Sequence, residues 1–471
     1  MHRRDRAAQR GRYGALIASA AAGACCLSLS AISGTPALAQ TGPVSPTPAV
    51  GTPTLAPTGT TETVRQLVQC GSKMYAVGSF TAISQGVTTF SRNNIFSFSA
   101  TSPFTVTSWN PNVNGEVNSI AFSNGNCADA YIGGQFTSVH ETAVANIAEI
   151  STSTGAVVPG FGDHTGGGHV DTILAVNGHL LVGGTFTSIN NNKGVNPYYA
   201  SLNPTTGKDD GFLHLGVSGH IVFPGVKTNS TEVYNQQLSH GGTLVLVEGD
   251  FTSVGGRGRR QIFMLNVSGS LATVAGWSSP EFDGSQPTAF PYFNCAASHP
   301  FYIHAAAWSP DDSEVYIADT GFHPYNWSGT FPLVGLCDAA AAFPAAQKEV
   351  THDWINYDGC DSLYSAAADS SAVYVAGHNR WFDNPDACNA KGPGAIPAPG
   401  LAGLTPGARG GALILNSAKT AGLYSRSRGH GADDMLLTGA GLWIASDNFG
   451  GGTSCGGKSG YAGICFLPYP A

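Results

Sequence analysis

Ionisable and phenolic residues recur at the openings of one set of apolar segments: Glu116, His169, Asp171, Glu232, Tyr234, His304, Tyr364 and Asp434. Carboxyl and imidazole groups held together exchange protons with a bound substrate. With phenols among them, they also suit hydrogen bonding to a polar ligand such as a sugar. A second group, His378, Arg380 and Trp381 in "GHNRWFDNPDAC", joins an aromatic face to a guanidinium, a platform for a sugar or an anion. The alternative is that Trp381 plugs a gap between packed units and Arg380 pairs with Asp383 or Asp386. "DHTGGGH" at Asp163 and "SPDDSE" at Ser309 read better as a glycine-rich loop and a tight acidic turn than as metal sites. No G-x-S-x-G elbow, H-E-x-x-H, P-loop or CxxC spacing occurs, so no metal or cofactor is expected.

Whether the first group converges depends on the segments that carry it. Those segments are "TVRQLVQC", "EVNSIAFS", "HVDTILAV", "EVYNQQLS", "YIHAAAWS", "SLYSAAAD" and "DMLLTGAG". Each is followed by a partner: "MYAVGSF", "AYIGGQF", "LLVGGTF", "LVLVEGDF", "VYIADTGF", "VYVAGHN" and "LWIASDNF". A third strand follows in five units ("NIFSFSA", "NIAEIST", "YYASLNP", "QIFMLNV", "PGLAGLTP"), and a fainter fourth reads as in "VTSWNP". Four short antiparallel strands repeated seven times predict an all-β, seven-bladed β-propeller. A composition with 62 glycines and only 11% charged residues suits such a turn-rich β protein.

In a propeller the first strand of each blade lines the central channel. The segment openings then share one face, here called the top, with the loops between second and third strands. The first column around the channel mouth reads Thr63, Glu116, His169, Glu232, Tyr302, Ser362 and Asp434. Two residues further on, it reads Arg65, Asn118, Asp171, Tyr234, His304, Tyr364 and Leu436. Topology favours disulfides Cys70–Cys127, Cys295–Cys337, Cys360–Cys388 and Cys455–Cys465, among the 105 pairings open to the eight cysteines that remain when Cys25 and Cys26 leave with a signal peptide. Ring closure stays open. A fourth strand borrowed from the residues before Thr63 and a three-stranded last blade are both admissible.

Residues 1–39 read as a signal peptide: five arginines, an apolar stretch from Ala15 to Ile32, then "ALAQ" as a cleavage site after Ala39. Secretion is expected, with lipoprotein attachment at Cys25 a minor alternative. Loss of five arginines and one aspartate from 22 basic and 30 acidic residues leaves a net charge of −12. That balance excludes nucleic acid as a partner, and no later segment reaches the ~20 apolar residues of a membrane span. Residues 40–60, rich in proline and threonine, read as a linker, and residues 61–471 as the propeller domain.

The stretch "WNPNVNGEVNSIAFS…AYIGGQFTSV…NIAEISTSTG" resembles the delta-60-type (DUF5122-like) propeller repeat of secreted bacterial proteins. Later segments, "WSPDDSEVYIADTG", "LCDAAAAF", "WINYDGCDSLYS" and "GHNRWFDNP", resemble uncharacterised actinobacterial members. The resemblance spans Thr61 to the end and implies the fold, but no established reaction. The expected role is a monomeric, non-catalytic binding or interaction module, for a glycan or a surface protein. A carbohydrate hydrolase or lyase working at the channel mouth is the alternative. A quinone-dependent dehydrogenase ranks last, because neither its tryptophan-docking repeats nor its metal carboxylates are visible.

Overall fold

The computed structural model describes residues 42–123, 125–162, 164–190, 192–193, 196–221, 230–282, 295, 301–322, 335–416, 431–448 and 462–470. Among them the one helical element is a 3-10 turn at Pro280–Phe282, and every named strand pair is antiparallel. Seven of the sheets share one layout. Their first strands are Thr63–Cys70, Glu116–Ala121, Val170–Val176, Glu232–Leu238, Tyr302–Trp308, Leu363–Ala368 and Ala432–Thr438. Each hairpins into a second strand and then pairs outward with a third. Sheets four, five and six carry a fourth strand: Thr273–Val274, Trp354–Tyr357 and Leu413–Asn416. In sheets one to three the fourth strand shrinks to single bridges, Phe98 to Val106, Ile150 to Val157 and Leu202 to Asp209.

Every first strand carries a β-bulge near its start, and the glycine of the repeated phrase lies across from it. The register shifts between Val64 and Gln66, between Val117 and Ser119, and between Val170 and Thr172, and likewise in the other four sheets. A bulge pushes one strand toward its partner and leaves the extra residue unpaired. A Cβ at Gly78, Gly134, Gly184, Gly249 or Gly377 would lie 2.0–2.2 Å from the carbonyl oxygen of the residue just before its register partner. Only glycine fits these positions without displacing the backbone. Sheets five and seven keep the bulge with Asp319 and Ser446 at this place.

The aromatic of the phrase fills space between sheets. Phe136 is buried among Tyr75 and Val77 of sheet one and Val117 and Ile132 of sheet two. The following Thr-Ser leads into a small hairpin above the sheet. Examples are Ala82–Gln85 with Thr88–Ser91, and Ser253–Val254 with Arg257–Gly258. These hairpins pair back onto the chain entering the same sheet, as Val217–Ser218 does with Ser253–Val254.

Core clusters lie between successive sheets, and the same arrangement joins sheet seven to sheet one. There Trp443 and Phe466 stack at 4.3 Å and meet Phe104, Phe98 and Val64. A side chain just past each of several bulges also bonds the next sheet's backbone. Gln66 Oε1 accepts from Ile120 N (2.7 Å), Ser119 Oγ from Ile173 N (3.0 Å) and Asp434 Oδ2 from Leu67 N (3.0 Å).

The proline-rich stretch expected to be a linker is packed into the fold from Val44 to Ala56. Ser45 N donates to Pro468 O, Ala49 N to Phe466 O and Leu55 N to Ala462 O, so this stretch runs along the outer edge of the three-stranded sheet seven, and its Thr54–Leu55 pairs with Ala82–Gln85. Val44 N donates to Tyr374 Oη, and Val44 and Leu55 are 1% and 5% exposed. Proline does not forbid this, because an outermost strand needs hydrogen bonds on one side only. Disulfides join Cys70 to Cys127, Cys295 to Cys337 and Cys360 to Cys388, three of the four pairs that topology favoured. Cys455 and the signal-like residues 1–39 lie outside the described residues.

Two outcomes follow. Gly134→Ala is expected to lower unfolding free energy by roughly 1–3 kcal/mol, as overpacking does. Gly258→Ala, where an added Cβ meets nothing within 4 Å, stays within about 0.5 kcal/mol. Denaturant titration of both variants checks this. A chain starting at Pro57 rather than Gln40 loses the burial of Val44 and Leu55. It should be less stable by about 3–6 kcal/mol in the same measurement.

Candidate functional site

The unpaired bulge residue of each first strand is Arg65, Asn118, Asp171, Tyr234, His304, Tyr364 or Asp433. All seven line one cavity of about 480 Å³. The ring differs from the expected column at one place. Leu436 stood seventh because the last unit was aligned from Asp434, but the strand begins at Ala432 and its bulge is Asp433. Asp434 points instead to the sheet-one backbone, and burial pushes its carboxyl up to about 6.

The cavity has two chemical halves. Sheets seven, one, two and three contribute the charged one. Arg65 Nε donates to Glu116 Oε1 and Arg65 Nη1 to Asp433 Oδ1, both at 2.8 Å. Burial opposes the Arg65 charge, but Asp433 and Glu116 outweigh it and hold the guanidinium above its ordinary value. Asn118 Nδ2 donates to Asp171 Oδ1 (3.0 Å), which also lies 3.1 Å from His169 Nε2. The hydrogen bond to Asp171 raises the His169 imidazole, against the effect of burial. Burial raises the Asp171 carboxyl despite His169, and its buried Oδ2 has no hydrogen-bond partner.

Sheets four, five and six supply the aromatic half. The His304 and Tyr364 rings lie 4.6 Å apart, with Tyr234 at 6.3 Å from His304 on the other side. Tyr234 Oη donates to the carbonyl of Ile303, and burial pushes the Tyr364 phenol up to about 12. His378 lies 5.6 Å from the Tyr364 ring, which joins it to this group.

His169 and Glu232 each stand two residues before the bulge residue of their strands. Glu232 is pushed up to about 7, by burial first and then by Asp171 and Asp250. The structure thus brings Glu116, Asp171, Tyr234, His304, Tyr364 and Asp434 to one cavity, with His169 bonded to its wall.

The second group divides. Arg380 is held by Asp361, with Nε 2.8 Å from Oδ2 and Nη2 2.6 Å from Oδ1, and it stacks on Trp381 at 4.3 Å. Its partner is therefore Asp361, brought close by the fold, rather than the sequence-local Asp383 or Asp386. The Arg380 guanidinium thus meets both the Asp361 carboxylate and the Trp381 ring.

Sequence reasoning passed over three buried carboxyls near this corner. Asp319, Asp338 and Asp358 are fully buried and accept from Ala339 N, Gly321 N and Asp361 N at 3.0–3.1 Å. Burial holds all three well above the usual carboxylate range. Their signal was substitution: Asp319 replaces the repeat glycine, and Asp338 (φ 52°) sits where Asn94 (φ 63°) precedes the third strand of sheet one. "SPDDSE" is a closed turn, with Asp311 Oδ1 accepting from Ser309 and Ser313 and Asp312 accepting from His240 N and Gly241 N.

Neither a family model nor a curated protein sequence matches the chain. Among solved structures it is similar to U3-55K (10% identity, TM-score 0.46, covering 89% of this chain and 99% of that one). It is also similar to Saccharomyces cerevisiae Sqt1 (9%, TM-score 0.43, 87% and 96%). A third is the extracellular domain of BT4673 from B. thetaiotaomicron (10%, TM-score 0.44, 89% and 40%). No helix among the described residues is long and apolar enough to cross a membrane.

The Glu232 shift has a definite sign. Its folded value, about 7, lies above its ordinary 4.5, so its contribution to stability is complete below about pH 4.5 and lost as pH rises through 7. Glu232→Gln should therefore lose less thermal midpoint than the parent between pH 4.5 and 7, followed by circular dichroism. Equal slopes would show that Glu232 ionises normally.

Proposed function

We propose that the chain is an exported, closed seven-bladed propeller of the delta-60 type. It acts as a non-catalytic binding module through the channel mouth, with a glycan or a surface protein as partner. The observation that carries the reading is the ring of bulge residues, one from each sheet, around a single cavity. Its volume lies in the range of small-ligand sites. Closure is supported by the Trp443–Phe466 contact with sheet one and by the backbone bonds that the N-terminal stretch makes along the edge of sheet seven. Export is supported by the disulfides, which persist in oxidising compartments.

Hydrogen bonding argues for binding over catalysis. Arg65 bonds both Glu116 and Asp433, and Asp171 is fixed by Asn118 and His169. One observation favours the second reading, a carbohydrate hydrolase or lyase. Glu232 titrates near neutrality close to the charge of a His169–Asp171 pair, as a general acid would.

A glycan array of the chain from Gln40 onward separates these readings. Binding should appear for the parent, weaken with Glu232→Ala and persist with Trp381→Ala. Loss with Trp381→Ala alone moves the site to the outer hairpin. Cleavage of a bound glycan, abolished by Glu232→Ala, establishes the enzyme.

A further inference from the structure

We infer that the cavity selects a ligand bearing an ammonium group, presented in the first instance by an amino sugar. This rests on the reading of the channel as a binding site and names the chemistry it takes. The cavity's carboxyl side and its aromatic side come from different sheets and face one shared space. Glu116, Asp171 and Asp433 line the first, Tyr234, His304 and Tyr364 the second.

Charge matching inside the cavity is incomplete. The single guanidinium of the lining, Arg65, is shared between Glu116 and Asp433. Asp171 belongs to the same wall and feels the Arg65 charge, but burial outweighs that charge and the His169 contact and holds its carboxyl above the ordinary value. Its Oδ1 takes Asn118 and His169, while Oδ2 is buried without a hydrogen bond. A buried carboxylate oxygen left unbonded is costly, and a ligand donor that meets it after a small turn of the Asp171 side chain, which is 17% exposed, removes that cost. A neutral hydroxyl would satisfy the hydrogen bond alone. An ammonium group also offsets the crowding of negative charge, in which Asp171 and Asp250 both act on Glu232.

The opposite wall fits the same ligand. Aromatic faces attract cations and also pack against the flat apolar faces of sugar rings. An amino sugar offers both features at once, with the charge at one edge and the apolar face beside it. The acidic balance of the whole chain, 30 acidic against 22 basic residues, draws cations toward the surface and disfavours anionic sugars.

Isothermal titration of the chain from Gln40 onward tests this with four probes. These are the glucosamine disaccharide, its N-acetylated counterpart, cadaverine and cellobiose. The glucosamine disaccharide should bind at least about tenfold tighter than its N-acetylated form. Asp171→Asn, which keeps the Oδ1 contacts, should remove most of that preference, and Tyr364→Leu should weaken binding of the sugar. Thermal midpoints check that both variants fold. If the Tyr364 variant unfolds, the Asp171 variant alone decides.

Cadaverine binding as tightly as the disaccharide, and lost in Asp171→Asn, keeps the ammonium chemistry and assigns it to free amines. Equal binding of the N-acetylated sugar or cellobiose overturns the ammonium inference while leaving the channel as the site. Ammonium-selective binding unchanged by both variants overturns the site as well. Silence of all four probes overturns the ammonium inference, and the glycan array then judges the binding reading separately.

Discussion

One backbone approach organises this molecule: the bulged start of each first strand pressed against the second strand. In five of the seven sheets a glycine makes that approach possible, because a side-chain carbon there would lie 2.0–2.2 Å from a carbonyl oxygen. The bulge has two effects. It turns one residue out of the ladder toward the channel, and it resets the pleat so that the rest of the strand can face the neighbouring sheets. A phrase that looks like a ligand motif is thus a steric allowance. The chemistry lies across from it, in whatever residue the bulge turns inward.

That separation explains how one repeat supports a polar, asymmetric cavity. The glycine, the aromatic and the apolar strand residues repeat because packing between sheets repeats. The bulge residue is released from both duties and varies from sheet to sheet. Arg65, Asn118, Asp171 and Asp433 are neighbours around the ring, as are Tyr234, His304 and Tyr364. The cavity therefore has a charged side and an aromatic side, although its walls are built from near-copies.

Much of this was legible from local pattern. Paired apolar segments, the recurring glycine and the Phe-Thr-Ser phrase gave the order of strands, and six of seven ring positions followed from counting two residues into each segment. What escaped had physical causes. The third strand of sheet five, Ala339–Pro344, is mostly alanine, which carries little strand preference. The seventh ring position slipped because Gly431 and Ala432 precede Asp433 without the polar opening seen in other units. The Val44–Ala56 stretch reads as a linker because its hydrogen bonds are made with residues near the far end of the chain. Arg380 found Asp361 rather than its sequence neighbours for the same reason: tertiary proximity outweighs adjacency.

The N-terminal stretch along the edge of sheet seven sets an order of events during synthesis. Thr52 and the Ile464 carbonyl it meets are 412 residues apart, so the segment that covers the last sheet is made long before that sheet and waits for nearly all the rest. Contacts so distant in sequence carry a high entropic threshold and form late. Until they form, Phe466 and Leu467 present an open strand edge of the kind that recruits strands from other chains. The same seam would part first under mechanical pull on the two ends, since load applied there falls directly on a few edge hydrogen bonds.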